Sequence, residues 1–229
     1  LSFPVLTDHF LKANKNRSKN TQDLYEYVLR SYNSGKPLPT NPNSRAIFVR
    51  TINACWNWGL KTGLIDKANK LVEDTKGVAR QRVYSKDELD LMFNEIRDDD
   101  FNRFVKFAYY TGARSGEIRH IQPQNLSDGS LVAFGKTGRR IIKISTQAST
   151  LIAKQSPLWN YSKDYVSHHF KKEVRRLGIK DARFHDLRRT FGLNLIKQGM
   201  SIYKVSKLLG HKSVRTTEKH YAPLLTSEI

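Results

Sequence analysis

The chain has 229 residues, enough for one large domain or two of ordinary size, and its apolar content of 38% argues against wholesale disorder. The net charge of +19 predicts a polyanionic partner, with nucleic acid favoured over an anionic membrane surface. A single cysteine excludes an intramolecular disulfide, and no apolar run approaches the ~18 residues of a membrane-spanning helix. These features predict a cytoplasmic protein with no membrane partner.

The first third of the chain, residues 1–78, predicts a small helical domain. The stretch QDLYEYVLRSY forms one apolar helical stripe, and RAIFVRTINACWNWGLKTG predicts a long helix. Trp56 and Trp58 on that helix suit base stacking, but aromatic residues in such a setting more often belong to a core. We therefore expect both tryptophans to pack inside, and we expect a polar linker over residues 73–82.

The remaining residues, 79–229, predict a second domain. Ser85 and Glu88 form a capping box that starts its first helix, and a later amphipathic helix ends at Gly112. The stretch SLVAFGKTGRRIIKIS predicts two short strands around a Lys-Thr-Gly turn. The fold class is thus mainly α with a small antiparallel sheet. Further helices are predicted to stop at glycine or proline residues, namely Gly178, Gly199, Gly210 and Pro223.

An ordered set of polar residues in this second domain suits one task, a clamp on a single phosphate with a hydroxyl nucleophile beside it. The set consists of Arg114, Lys136, His185, Arg188, His211 and Tyr221. Each residue alone has an ordinary explanation, such as a surface salt bridge, a solvated turn, a helix cap or a half-buried tyrosine. The order of the six and the local setting of each one favour the phosphate clamp.

The first members of the set lie around a helix start and a hairpin. Arg114 follows a helix stop, and its planar guanidinium can hold two phosphate oxygens. Glu117, one helical turn later, can hold either the Arg114 side chain or a nearby histidine in place. Lys136 at the hairpin tip can give a proton to a leaving oxygen. Arg139 and Arg140 beside it are expected to bind a nucleic-acid backbone or minor groove.

The later members belong to three predicted helices. His185 and Arg188 share one helix face at their three-residue spacing, so they can bind one phosphate and pass one proton, while Asp186 is expected to point elsewhere. His211 follows a helix-ending glycine. The Tyr221 hydroxyl, with an ordinary pKa of ~10, is a poor nucleophile unless nearby cations stabilise the phenolate.

This order and spacing resembles the tyrosine recombinase (phage integrase) family, on the motifs TGARSGE, GKTGRR, HDLRR, LLGHKS and EKHYA. The resemblance implies a two-domain clamp around duplex DNA, with residues 1–78 as the core-DNA-binding domain and 79–229 as the catalytic domain. It implies a site-specific recombinase or integrase, typical of a mobile genetic element, that cleaves and rejoins DNA through a 3′-phosphotyrosine. A tetramer on nucleoid DNA is expected, with accessory DNA-bending or directionality factors as possible partners.

The resemblance also assigns roles to the residues of the clamp. Arg114, Arg188 and His211 are expected to hold the scissile phosphate, with Glu117 in support. Tyr221 is expected to attack the phosphorus and release a 5′-hydroxyl.

Proton transfers are assigned to the two remaining members of the set. Lys136 is expected to protonate the leaving 5′-oxygen, and His185 to assist proton transfer at the tyrosine. The arginines replace a metal, and the phosphotyrosine conserves the bond energy, so neither a metal nor ATP is expected. In agreement, the histidines show no metal-ligand spacing, and GKTGRR lacks the upstream glycine of a nucleotide-binding loop.

Two alternatives stay open at this stage. A type IB topoisomerase uses similar chemistry but relaxes any supercoiled plasmid, and a non-catalytic DNA-binding regulator would keep its activity without the Tyr221 hydroxyl. The C-terminal residues Leu224, Leu225 and Ile229 are expected either to contact a neighbouring subunit or to pack on their own chain.

Overall fold

A computed structural model describes residues 1–135, 138–152 and 158–226, and the chain divides into two compact units, Leu1–Ala79 and Arg80–Ile229. The described residues are mostly helical and include one three-stranded antiparallel sheet. The predicted fold class, mainly α with a small antiparallel sheet, is confirmed.

The first unit is a group of three helices around an apolar core. Its helices are α1 (Phe3–Ala13), α2 (Lys19–Asn33) and α3 (Pro42–Lys61). The Asn41 side chain accepts hydrogen bonds of 3.1 Å from two backbone amides of the first turn, which fixes the start of α3. Trp56 stacks on Phe3 with ring centroids 4.5 Å apart, and Trp58 meets Phe10 edge-on at 5.7 Å. Both tryptophans therefore pack on the core of this unit rather than standing free for base stacking.

The second unit has eight α-helices, one short 3₁₀ helix (Pro123–Asn125) and a sheet among its described residues. The helices are α4 (Lys86–Glu95), α5 (Asp99–Thr111), α6 (Ser115–Arg119), α7 (Thr146–Ile152), α8 (Lys163–Arg176), α9 (His185–Lys197), α10 (Ile202–Leu209) and α11 (Val214–Thr226). The strands are β1 (Leu126–Ser127), β2 (Ser130–Gly135) and β3 (Gly138–Lys143), in the order β1-β2-β3. None of the helices described in either unit is both long and apolar enough to cross a bilayer.

Local signals fix several of these helix ends. The Ser85 hydroxyl accepts from the Glu88 amide at 3.1 Å and the Glu88 carboxylate accepts from the Ser85 amide at 2.9 Å, which completes the predicted capping box. Gly112, with φ of 62°, ends α5 in the left-handed conformation that glycine permits. The predicted stop at Pro223 is wrong, because α11 continues through it to Thr226.

Apolar packing explains why α11 runs past the proline. Leu224 and Leu225 pack against a cluster that joins α9, α10 and α11, so the last turn gains buried apolar area that offsets the hydrogen bond lost at Pro223. The Thr226 hydroxyl donates to the Ala222 carbonyl at 3.2 Å. A larger core lies between α5 and its neighbours, where Phe101, Phe104, Phe107 and Leu187 are fully buried.

Candidate active site

The site begins at the turn after α5, where Arg114 and Glu117 are joined. The backbone amide of Arg114 donates to Glu117 Oε2 at 2.7 Å, and its Nη1 donates to Oε1 at 3.0 Å. The Glu117 side chain is buried, while that of Arg114 stays 29% exposed. The buried Glu117 carboxylate thus fixes the Arg114 side chain by hydrogen bonds and leaves part of its guanidinium open to solvent.

Arg140 of β3 is bound to the same carboxylate. Its Nε donates to Glu117 Oε1 at 2.9 Å and its Nη2 donates to Oε2 at 2.8 Å, while Nη1 donates to the Leu208 carbonyl at 2.6 Å. Arg140 therefore points inward and links β3 to the end of α10, whereas Arg139 beside it is exposed. Burial raises the pKa of Glu117, but the hydrogen bonds and charges of Arg140 and Arg114 outweigh it and lower the pKa to about 2.

Arg188 on α9 is the centre of the arrangement. It is 3% exposed, and its Nη1 donates to the Gly112 carbonyl at 2.6 Å while its Nη2 donates to the Leu209 carbonyl. One side chain therefore joins the turn that carries Arg114 to the turn that carries His211. Burial, and then the charges of Arg114 and Arg140, lower the pKa of Arg188 to about 9, so the group is still cationic at neutral pH.

His211 lies at the bend after α10. Gly210 takes a φ of 65°, which ends the helix and turns the chain, as the sequence predicted. The half-buried ring places Nδ1 2.8 Å from the hydroxyl of Thr217 on α11. Burial, and then the charges of Arg188 and Arg114, lower the pKa of His211 to about 4. The imidazole is thus neutral at pH 7 and is held in orientation by the threonine.

His185 opens α9 and lies at the surface of the site. The residue is exposed, unlike Arg188 one turn later. The surrounding protein still removes part of its hydration, and this effect, followed by the charges of Arg188 and Arg189, lowers the pKa of His185 below its ordinary value. The ring is therefore neutral and accessible at pH 7, which suits an exchange of protons with a bound molecule.

Tyr221 on α11 is buried against α9. Its side chain is 2% exposed, and a Cβ placed on Gly192 would lie only 2.2 Å from the tyrosine hydroxyl. Gly192 follows Arg188 by four residues, which puts the phenol one turn along the same helix. Burial raises the pKa of Tyr221 to about 12, although the charges of Arg188 and Arg189 act to lower it. The phenol is therefore protonated at neutral pH.

Lys136, the remaining member of the predicted set, lies outside the described residues. The strands on either side of it are described, and Gly135 pairs with Gly138 in the β2–β3 ladder. A Cβ on Gly135 would lie 3.3 Å from Glu117 Cγ. The last described residue before Lys136 is therefore next to the carboxylate that holds Arg114 and Arg140.

Sequence reasoning missed one buried group beside the site. The expectation that Asp186 points away from the site is right for its side chain, but this carboxylate is wholly buried and binds Arg80 and Arg189. The spacing of Asp186 and Arg189 along a helix was a usable signal. Nothing in the sequence signals Arg80, which lies 106 residues away. The described residues include no group of three or more His, Cys, Asp or Glu that could hold a metal ion.

Comparisons with known proteins match both the sequence and the fold. Residues 136–228 match the model of the phage integrase family. Tyrosine recombinase XerC of Staphylococcus aureus (strain bovine RF122 / ET3-1) is 22% identical over 79% of this chain and 70% of its own length. Tyrosine recombinase XerA of Saccharolobus solfataricus is 24% identical over 62% of this chain and 53% of its own length.

The similarity to solved structures covers almost the whole chain. A lambda integrase tetramer bound to a Holliday junction matches with a TM-score of 0.80 at 17% identity, over 96% of this chain and 77% of the other. The Tn1549 transposon integrase, residues 82–397, in complex with circular intermediate DNA matches with a TM-score of 0.74 at 13% identity, over 100% of this chain and 99% of the other. At such identities these matches establish the fold, and they confirm the predicted catalytic fold.

Proposed function

We propose that the chain is a member of the tyrosine recombinase (phage integrase) family and a site-specific DNA recombinase that cleaves and rejoins strands through a 3′-phosphotyrosine on Tyr221. The observation that carries the proposal is the position of Arg188. Its buried guanidinium joins the Arg114 turn to the His211 turn, and Tyr221 lies one helical turn away against Gly192. A phosphate bound at these groups would meet two cations, an imidazole and a hydroxyl.

The phosphate is held by Arg114, Arg188 and His211. The partly exposed Arg114 guanidinium meets it first, and the buried Arg188 supplies a charge that water does not screen. Both side chains are held by protein hydrogen bonds before DNA binds, so little reorganisation opposes their stabilisation of charge in the transition state. Glu117 and Arg140 support this arrangement from within, and Arg139, exposed on β3, binds the DNA backbone.

Tyr221 supplies the nucleophile. The Tyr221 hydroxyl must move away from Gly192 to reach the phosphorus. It must also lose its proton, although burial raises the pKa of Tyr221. The neutral, exposed imidazole of His185 accepts that proton. The Tyr221 oxygen bonds to phosphorus, the bond to the 5′-oxygen breaks, and Lys136 protonates the departing oxygen.

The energy of the broken bond is kept in the phosphotyrosine. A 5′-hydroxyl from a partner strand can therefore reverse the reaction and rejoin the DNA without ATP. The cluster of arginines supplies the positive charge that a metal ion would otherwise supply, so the proposal includes no metal requirement.

The two units take different tasks in this proposal. Residues 1–78 bind the core DNA site and residues 79–229 carry out the chemistry, with four copies acting together on nucleoid DNA in the cytoplasm. Accessory DNA-bending or directionality factors act with them. Leu224 and Leu225 pack on the α9–α11 cluster of their own chain, and Ile229 lies outside the described residues.

Covalent capture tests the proposal. The protein is mixed with sheared DNA from its source in EDTA without ATP, denatured with SDS, and the protein-linked fragments are recovered and sequenced at their ends. Tyr221→Phe is the test variant, and Tyr203→Phe on α10, whose residue is 61% exposed, is the matched control. We expect adducts at one or a few related sequences with the unaltered chain and the control, and none with Tyr221→Phe.

Other outcomes of the capture experiment separate the alternatives. Adducts scattered over unrelated sequences would replace the recombinase with a topoisomerase. Tight DNA binding without any adduct would replace it with a non-catalytic regulator. Adducts that need a divalent ion would remove the metal-independent part of the mechanism.

A further inference from the structure

A buried carboxylate lies directly between two of the proposed site residues in sequence. Asp186 separates His185 from Leu187 and Arg188, and its side chain is wholly buried at the first turn of α9. A carboxylate in this setting is costly unless its oxygens are fully paired. The donors that offset this free-energy cost indicate the role of Asp186.

Four donors converge on the two oxygens of Asp186. Oδ1 accepts from Arg80 Nε at 3.0 Å and from Arg189 Nη1 at 2.6 Å. Oδ2 accepts from Arg80 Nη2 at 2.8 Å and from the backbone amide of Arg183 at 2.9 Å. Arg80 Nε also donates to Oδ2 at 3.2 Å, so each oxygen accepts at least two hydrogen bonds, and the two guanidiniums come from different segments of the chain.

The segment Arg80–Tyr84, here called the strap, lies along the first turns of α9. Besides the contacts of Arg80, the Tyr84 amide donates to the Thr190 hydroxyl at 2.9 Å, and Arg189 Nη1 donates to the Arg82 carbonyl at 3.2 Å. The strap therefore fixes α9 at both sides of Arg188. It is also the segment that directly follows the first unit in the chain.

We infer that Asp186 is a positioning residue for the proposed cleavage reaction, and that Arg80 and Arg189 hold it so that His185 and Arg188 meet the scissile phosphate. The inference rests on the proposed function. Rotation of the first turn of α9 would move the exposed His185 together with the start of the Arg188 face. A bidentate arginine resists that rotation, because its planar fork fixes direction as well as distance.

The test uses variants that keep Asp186 itself. Arg80→Gln removes the charged fork, and Arg80 is 19% exposed in its side chain, so the change is milder than one at the wholly buried aspartate. Arg80→Lys keeps the charge but replaces the planar fork with a single donor nitrogen. Glu173→Gln is the matched control, because Glu173 is also a buried carboxylate of this unit, paired with Arg176 at 2.8 Å on α8.

The substrate is a nicked duplex bearing a sequence recovered by covalent capture. Single-turnover adduct formation is measured for each variant, and the dissociation constant for the same duplex is measured in the Tyr221→Phe background. We expect Arg80→Gln to slow adduct formation about tenfold to a hundredfold, while its affinity changes by less than about threefold. Arg80→Lys should recover part of the rate, and Glu173→Gln should match the unaltered chain in rate even where its thermal stability falls.

Each contrary result overturns a different statement. A normal rate for folded Arg80→Gln would overturn the positioning role. Loss of affinity with an unchanged rate would make Arg80 a DNA contact instead, and an equal loss of rate in Glu173→Gln would reduce the effect to general stability. Absence of adducts with the unaltered chain would overturn the proposed function, and this inference with it.

Discussion

Glu117 offers the most quantitative prediction, because its carboxylate is buried and paired with two arginines. Its pKa falls from an ordinary value of 4.5 to about 2. A carboxyl whose pKa is lower in the folded state stabilises the fold above its unfolded pKa, and this stability is lost as the pH falls toward the folded value. The shift corresponds to about 3 kcal/mol at neutral pH, at roughly 1.4 kcal/mol per unit.

The perturbation is Glu117→Gln, which keeps the shape and removes the charge. We expect the variant to be about 3 kcal/mol less stable than the unaltered chain near neutral pH, and the gap to narrow to about 1 kcal/mol near pH 3. Urea unfolding followed by circular dichroism at both pH values measures the gap. The window follows from the two pKa values of Glu117, about 2 when folded and 4.5 when unfolded.

Glu26→Gln is the control for this experiment. Glu26 pairs with Arg30 at 2.8 Å, the same distance that separates Glu117 from Arg140, but the side chains of Glu26 and Arg30 are both exposed. Its loss should cost under about 1 kcal/mol at either pH. A Glu117→Gln gap that stays constant from neutral pH to pH 3, or one no larger than that of Glu26→Gln, would refute the reasoning.

Three further predictions concern the site. Gly192→Ala should expel the Tyr221 hydroxyl, since the new Cβ would lie 2.2 Å from it, and the pKa of the phenol should then fall from about 12 toward its ordinary value. Absorbance titration measures this pKa, with Gly192→Ala/Tyr221→Phe as the reference. An unchanged pKa would contradict the prediction. Arg139→Gln should reduce the slope of log binding constant against log salt concentration by about one unit, because the exposed Arg139 contacts the DNA backbone. Arg140→Gln should lower thermal stability and leave that slope unchanged, because Arg140 is bound to Glu117. Equal slopes for the two variants would be inconsistent with an inward Arg140. Arg188→Lys cannot reach both backbone carbonyls with one ammonium, so covalent adducts should form about a hundredfold more slowly, and a rate near normal would show that the fork is dispensable.

The sequence was most informative where structure depends on neighbouring residues. The Ser85–Glu88 capping box and the left-handed Gly112 and Gly210 follow from short-range chemistry, and each one occurs where it was predicted. The wrong stop at Pro223 shows the limit of such rules. A proline in the last turns of α11 was outweighed by packing that only the folded cluster provides.

In the candidate site, too, some features could be predicted from the sequence and others depend on contacts between distant elements. The residue types and their order predicted a cation cluster with a tyrosine, and the structure brings Arg114, Arg188 and His211 to neighbouring turns. The sequence did not indicate that Arg140 turns inward, because the partner that holds it is a carboxylate in another element. The anchor of Asp186 was equally hidden, since Arg80 meets it across 106 residues.

Mass spectrometry of the captured DNA–protein adduct tests the central claim most directly. Trypsin cuts after Lys219, so Tyr221 lies in the peptide that begins at His220, and Tyr221 is the only tyrosine among residues 220–229. After nuclease digestion of the DNA, the account predicts that this peptide carries a nucleotide joined through its 3′-phosphate to Tyr221. A nucleotide on any other residue, or one joined through its 5′-phosphate, would contradict the account.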